Sequence, residues 1–449
     1  MAEFNNNFLK KIFNLEYQDH HALIYENKYY TYKQLRENTL DKIEILKSNA
    51  NSKLIVIIGD YDCDSVALLL ACIELNKIAI PLIDEKEIDN KLKEINCDIL
   101  FKYGQISFNN QQNDLGQHRI IEKLISQNKA GLILFSSGST GKPKVIVHDL
   151  QRMLNFYIDK KYKYINILLF LMFDHIGGLN TLLNCLSMNA CGIAVKDRKN
   201  VNLLAKSIEK YKISLLPASP SLLNLFLISN MAEQYDLSSL RLVTYGTEKM
   251  PETLLEKLKI AFPKVKFLQT FGTSEIGITQ TKSYKDFIKL ENVDYKIIDN
   301  ELFIKSNTQS LGYLNADNSV FDNEGYFRTG DLVEVTHENG EEYIKIIGRN
   351  KEMINIGGEK VLPQEVEGVI LQIPFIQDCL VYSQKNPITG QAVCAKIVLK
   401  QEKILSPLEL KKQIRLFCKD KLANYKIPIK IEIVERLEFS ERFKKIRKY

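Results

Sequence analysis

Three patterns in this sequence predict an α/β fold with a large N-terminal part of parallel-rich sheets and a small α+β unit at its end. Short continuous apolar runs alternate with helical stretches between residues 20 and 130, the grammar of parallel sheets covered by helices on both faces. Residues 295–305 and 342–347 read as antiparallel strands, which adds an antiparallel, barrel-like portion. After Gly348-Arg349 the chain changes to strands near 378–383 and 391–400 and a helix over 407–422.

Taken in order, 33–46 is amphipathic and predicts a surface helix, 54–58 is an unbroken aliphatic run that predicts a buried strand, and 64–75 predicts a buried helix. The run 131–135 predicts a strand feeding a Gly/Ser-rich loop. The same grammar returns at 213–217, 242–246 and 265–269, each strand ending at a loop. In open parallel sheets ligands sit outside the carboxyl ends of strands, where such loops collect. The expected division is 1–348 and 349–449.

Composition narrows the class. With 449 residues, 45% hydrophobic and 26% charged, the chain is an ordinary globular protein large enough for two or three domains. Its eight cysteines lack CxxC spacing, so they predict neither a zinc site nor a disulfide framework but reduced thiols in a cytoplasmic protein. The start has no apolar core of signal-peptide length, and the longest apolar patch, 165–173, falls far below the roughly 20 residues of a transmembrane span. From Lys351 onward there are 19 basic against 12 acidic residues, which leaves the first 350 near neutral. Such a basic unit is either simply solvated or a landing site for an acidic partner or a polyphosphate. No aromatic-interleaved basic motif accompanies it, which argues against nucleic acid.

The most informative stretch is SSGSTGKPK at 136–144, which sets four hydroxyls, two glycines and two lysines directly behind an apolar run. Glycines let successive N–H groups converge on an anion, hydroxyls add neutral donors, and lysines add point charge, so the segment is built to hold phosphate. It is not a Walker A loop, because Pro143 follows Gly141-Lys142 and opposes a helix there. By itself a Ser/Gly-rich stretch is ordinarily a flexible surface loop. Three further motifs follow it: TFGTSE at 270–275, GYFRTGD at 325–331 and GRNKEMINIGGEKV at 348–361.

Four such motifs in this order resemble the adenylate-forming superfamily of acyl-CoA synthetases, aryl ligases, luciferases and peptide-synthetase adenylation domains. The resemblance implies conversion of a carboxylate and ATP to an acyl-adenylate, with Mg²⁺, and then capture of the acyl group by a phosphopantetheine thiol. It implies that Ser136, Ser137, Gly138, Ser139, Thr140, Gly141, Lys142 and Lys144 hold the β- and γ-phosphates, Val145 standing where many members carry Gly. Gly246 lies at the loop beside adenine, where Tyr245 replaces a Gly and would shorten the pocket. Phe271 and Gly272 would cover the adenine, Ser274 would donate to phosphate and Glu275 would ligate Mg²⁺. Asp331 would accept the ribose hydroxyls, with Arg349 on the same nucleoside side.

The resemblance further implies a mobile C-terminal domain that turns about a hinge at Lys351, with Gly357 and Gly358 on a strand lining the thiol tunnel. The family's terminal motif is imperfect here: aligning Ser440 and Arg447 places the catalytic lysine at Lys444, with Lys445 its competitor. His175 matches a histidine beside the acyl substrate, although a lone His is as often structural. Asp174 raises amino-acid activation as an alternative, and a non-catalytic relative that binds nucleotide or acyl-adenylate is another. The short span from Glu275 to Asp331 resembles a compact stand-alone subgroup associated with loading an acidic acyl carrier protein rather than with general fatty-acid metabolism; coenzyme A is the other acceptor.

Overall fold

Two seven-stranded sheets form the bulk of the molecule, and each follows from the aliphatic runs of the sequence. A computed structural model describes residues 4–83, 88–95, 97–102, 104–108, 118–136, 142–246, 248–400, 405–440 and 445–447. The first sheet runs in the order Lys266–Gln269, Leu242–Tyr245, Leu215–Ala218, Asn166–Leu168, Cys191–Ala194, His21–Tyr25 and Lys28–Thr31, parallel except for its terminal hairpin. The second is centred on Leu54–Ile58, all five residues buried, with Ile78–Leu82 and Ile99–Lys102 parallel beside it. Strand Gly131–Ser136 then leads antiparallel into Lys144–Asp149, and Gly312–Tyr313 closes that edge.

Between these sheets lies one continuous apolar core. Helix Cys63–Glu74 buries Val66 through Ile73 without a break, as expected of a helix hydrophobic all round. Its start is set by Asp62, whose carboxylate accepts from Ser65 N at 2.9 Å. A Cβ on Gly59 would sit 1.9 Å from Ser65 Oγ, so only glycine lets the strand end pass this helix. Helix Ile176–Ser187 fills the same layer, while the amphipathic helix Tyr32–Lys47 starts at a capping box of Thr31 and Gln34.

The third sheet is the antiparallel portion, with strands Phe271–Thr273, Gly277–Tyr284, Phe287–Glu291, Glu341–Arg349, Phe327–Glu338, Glu301–Ser306 and Val293–Ile298 in that order. The fourth, around Ile376–Asn386 and Gly390–Leu399, has its own core with helices Pro363–Ile370 and Pro407–Cys418. The last helix stops four residues short of the 407–422 expected: Lys419 is its C-cap, and Leu422 turns back into the core.

All eight cysteines are free, and all but the half-buried Cys97 are buried. Burial pushes the Cys63 thiol up to about 11 and Cys72 to about 12, which leaves both inert at neutral pH. No helix among the described residues is long and apolar enough to cross a membrane.

Candidate active site

A cavity of about 350 Å³ opens where the carboxyl ends of Leu242–Tyr245 and Lys266–Gln269 meet the third sheet and the C-terminal unit. Gly246 and Phe271 follow these two strands and line it. Glycine is required at 246, because a Cβ would stand 2.8 Å from Thr270 O. Phe271 is only 6% exposed and packs with Leu302 and Ile304, so the ring is both core and cavity wall. Gly272 is exposed at the rim.

Asp331 and Arg349 face each other across the hairpin of the third sheet, with Arg349 Nε donating to Asp331 Oδ1 at 2.9 Å. Asp331 is 3% exposed and its N–H is held by Thr329 Oγ1. The Asp331 carboxylate is the main cause that holds the Arg349 guanidinium above its usual range. The pair lines the cavity and presents a fixed anion beside a fixed cation.

Opposite them lies the C-terminal tail. Lys445 N donates to Glu248 Oε1 at 3.0 Å, and Ser221 Oγ holds the other Glu248 oxygen at 2.5 Å. The Lys445 ammonium turns away into its own unit, donating to Asp378 Oδ1 at 2.6 Å and Cys379 O at 2.9 Å. Burial alone would lower this lysine, yet Asp378 and Glu367 hold it above its usual value. Arg447 grips Glu367 through both terminal nitrogens, at 2.5 and 3.0 Å. Lys444 lies outside the described residues, and so do Ser137, Gly138, Ser139, Thr140 and Gly141.

The ends of the phosphate-type loop are described. Ser136 and Lys144 are register partners across the antiparallel pair. Val145 is fully buried, and its N–H goes to Asn315 Oδ1 at 2.8 Å. The Lys142 ammonium pairs with Glu94 at 3.0 Å. Lys144 places its ammonium 4.8 Å from the centre of the Tyr313 ring, and Tyr313 Oη donates to Glu275 Oε1 at 2.8 Å. Ser274 is half-buried beside Glu275, whose carbonyl accepts from Ser310 N.

Other expected residues land elsewhere. Among the described residues, the lining of the main cavity does not include His175, which caps helix Ile176–Ser187 through Nδ1 and Gly177 N at 3.2 Å. Asp174 is 2% exposed and forms a 2.9 Å pair with the buried Lys91. Tyr245 is buried and lines a neighbouring cavity, not this one. Gly357 and Gly358 are not in a strand: they are the two-residue turn between Ile354–Ile356 and Glu359–Val361, with φ of +58° and +98°. Two successive positive φ values are what a tight hairpin demands, and glycine meets them without strain. The pair is exposed and is not part of the cavity lining. Lys351, by contrast, lines the main cavity, exposed in the short 3₁₀ turn Asn350–Glu352 between the third and fourth sheets. Tyr313, Glu248 and Asn315 belong to none of the four motifs. Glu248 follows Gly246 closely enough to be sought, whereas Tyr313 and Asn315 have no local signal.

Residues 13–314 match the AMP-binding enzyme family, and residues 365–444 match the AMP-binding enzyme C-terminal domain. Relatives include acyl-CoA synthetase 7 of Caenorhabditis elegans, 30% identical over 69% of this chain and 63% of its own length. Another is 4-coumarate–CoA ligase 4 of Arabidopsis thaliana, 26% identical over 69% of this chain and 60% of its own. The matched part thus spans about three fifths of the length of these curated relatives. In fold, the chain superposes on the anthranilate CoA ligase AuaEII bound to anthranoyl-AMP with a TM-score of 0.80, at 18% identity over 99% of this chain and 96% of that one. An o-succinylbenzoate coenzyme A synthetase from Bacillus subtilis, in complex with ATP and magnesium ion, gives 0.73 at 20% identity over 99% of both chains.

Proposed function

The chain belongs to the AMP-binding enzyme family, and from that premise we propose that it is an AMP-forming acid–thiol ligase. The observation that carries this reading is the Asp331–Arg349 pair on the wall of a cavity that Gly246 and Phe271 close from one side and the Lys445 segment from the other. A carboxylate oxygen of the substrate attacks the α-phosphorus of ATP, the bond to the β-phosphate oxygen breaks, and pyrophosphate leaves. A thiolate then attacks the acyl carbon, and AMP leaves with the electrons of the mixed anhydride. The two anions must be held together with water kept out, which is work for fixed charges in a cleft.

In this reading Asp331 accepts the ribose hydroxyls, Arg349 fixes that carboxylate and binds the nucleoside side, and Phe271 with Gly272 faces the adenine. Ser136, Lys142, Lys144 and the stretch 137–141 hold the phosphates, Lys142 exchanging Glu94 for them, and Ser274 adds a donor. Lys444 bridges the substrate carboxylate and the α-phosphate. A single carboxylate suits Mg²⁺, which keeps waters and phosphate oxygens as its other ligands, and Glu275 Oε2 is the oxygen not occupied by Tyr313. When bound, the ion would neutralise charge on the phosphates.

The chain divides, on this reading, into 1–348 and 349–449, with Lys351 as the hinge and the Gly357-Gly358 turn brought to the thiol tunnel by rotation. The acceptor is a phosphopantetheine thiol of coenzyme A or of an acidic carrier protein; the exposed Lys412, Arg415 and Lys419 of helix Pro407–Cys418 and its cap suit the phosphates of either. The proposed location is the cytoplasm, and fatty or aryl acids are the first substrates to try. Asp174, the residue that speaks for an amino-acid substrate, is neutralised by Lys91.

The test is carboxylate-dependent exchange of labelled pyrophosphate into ATP across a panel of acids, followed by trapping with coenzyme A or holo-carrier. Exchange with at least one acid is expected, and none with any acid while ATP still binds would leave a nucleotide-binding relative without catalysis. Lys351→Pro is expected to keep exchange and slow thioester formation on the order of tenfold, because the fixed φ of proline blocks the hinge's dihedral change. Equal loss of both steps would remove Lys351 from the hinge.

A further inference from the structure

The segment from Ser310 to Asn315 is tied to both halves of the phosphate apparatus at once. Its strand, Gly312–Tyr313, pairs with Lys144–Asp149, the strand that leaves the phosphate-type loop. Ser310 N holds the Glu275 carbonyl at 2.7 Å. Asn315 accepts from Val145 N at 2.8 Å and donates to Pro143 O and Glu94 Oε2, each at 2.9 Å, while Glu94 also pairs with Lys142. Tyr313 stands at the centre, 2% exposed, with its ring face toward Lys144 and its hydroxyl on Glu275 Oε1.

We propose that Tyr313 is a positioning residue that sets the Glu275 carboxylate and the Lys144 ammonium in register for a magnesium–triphosphate ligand. The inference rests on the roles given above to Lys144 and Glu275. The phenol donates to one carboxylate oxygen, so the rotamer is fixed and the other oxygen is the one presented to a cation. The ring's negative face holds the ammonium without neutralising it, so that its charge is kept for phosphate. A carboxylate in the place of this ring would have quenched Lys144. The wall of the site is thereby braced by a residue that touches neither the nucleotide base nor the reacting atoms.

Tyr313→Phe keeps the ring and deletes the hydroxyl, and Tyr313→Leu deletes both functions. Affinity of the full chain for a non-hydrolysable ATP analogue is measured by calorimetry with magnesium and with EDTA, after circular dichroism and melting of the unliganded variants have established folding. Tyr313→Phe is expected to lower the magnesium-dependent gain in affinity about tenfold, the loss of one hydrogen bond to a charged group, while affinity in EDTA stays within about twofold of wild type. Tyr313→Leu is expected to lose affinity in both conditions, because Lys144 loses its support. In a Glu275→Gln background the Tyr313→Phe change should add nothing, since the hydroxyl acts through that carboxylate. A wild-type magnesium gain in Tyr313→Phe, or a full tenfold loss that persists beside Glu275→Gln, overturns the proposal. Wild-type protein that binds no nucleotide in either condition overturns the nucleotide reading of the site, and this inference with it.

Discussion

Lys444→Ala is expected to lower pyrophosphate exchange by about two to three orders of magnitude, the usual cost of removing one charge donor from a developing transition state. Thioester formation from supplied acyl-adenylate should stay near wild type, because the α-phosphate step is then already past. Lys445, one residue on, should behave differently. Its ammonium is committed to Asp378 and the Cys379 carbonyl, and it is buried there. Lys445→Met strips a buried carboxylate of its partner, a change that costs about 3–5 kcal/mol where a buried pair is broken. The expected signature is a lower melting temperature with both half-reactions impaired together. Exchange that survives Lys444→Ala but vanishes in Lys445→Met at an unchanged melting temperature would move the catalytic lysine by one position.

Asp331→Ala is expected to weaken ATP binding at least a hundredfold, because two charge-assisted hydrogen bonds to ribose hydroxyls are each worth about 1.5–3 kcal/mol. The same substitution leaves the Arg349 guanidinium without the carboxylate that orients it. Calorimetry against ATP and against inorganic tripolyphosphate separates the effects: nucleotide affinity should collapse while tripolyphosphate affinity holds. Unchanged ATP affinity would take Asp331 out of the nucleoside site.

Much of this architecture is legible in the sequence wherever one short stretch decides its own structure. The aliphatic run at 54–58 can only be a buried strand, and the amphipathic 33–46 appears as helix Tyr32–Lys47. Asp331 and Arg349 each stand out in their own motif, and the hairpin of the third sheet makes them register partners. What the sequence hides are the contacts between distant stretches. Nothing near Tyr313 announces that its hydroxyl meets Glu275, 38 positions away, or that Asn315 clamps the exit of a loop 170 positions earlier. His175 shows how a local motif leaves the tertiary setting open: in the fold its Nδ1 caps helix Ile176–Ser187, which no pattern in 173–178 announces. The resemblance places Gly357-Gly358 on a strand, whereas the pair is the turn that joins two strands, a distinction that motif matching does not make.

The order of strands in the first sheet carries a consequence for biosynthesis. His21–Tyr25 is made early, yet its parallel partner is Cys191–Ala194, and the whole core of the second sheet is encoded between them. At about 5–20 residues per second, the apolar Ala22, Leu23 and Ile24 wait roughly 8–33 s on the ribosome before the strand that covers them emerges. The second sheet waits about as long for its last edge, since Gly312 and Tyr313 pair with Val147 and Ile146. Nascent chains cut off between these points hold unpaired strand edges open to aggregation, so the strand that carries Tyr313 also marks when the second sheet can close.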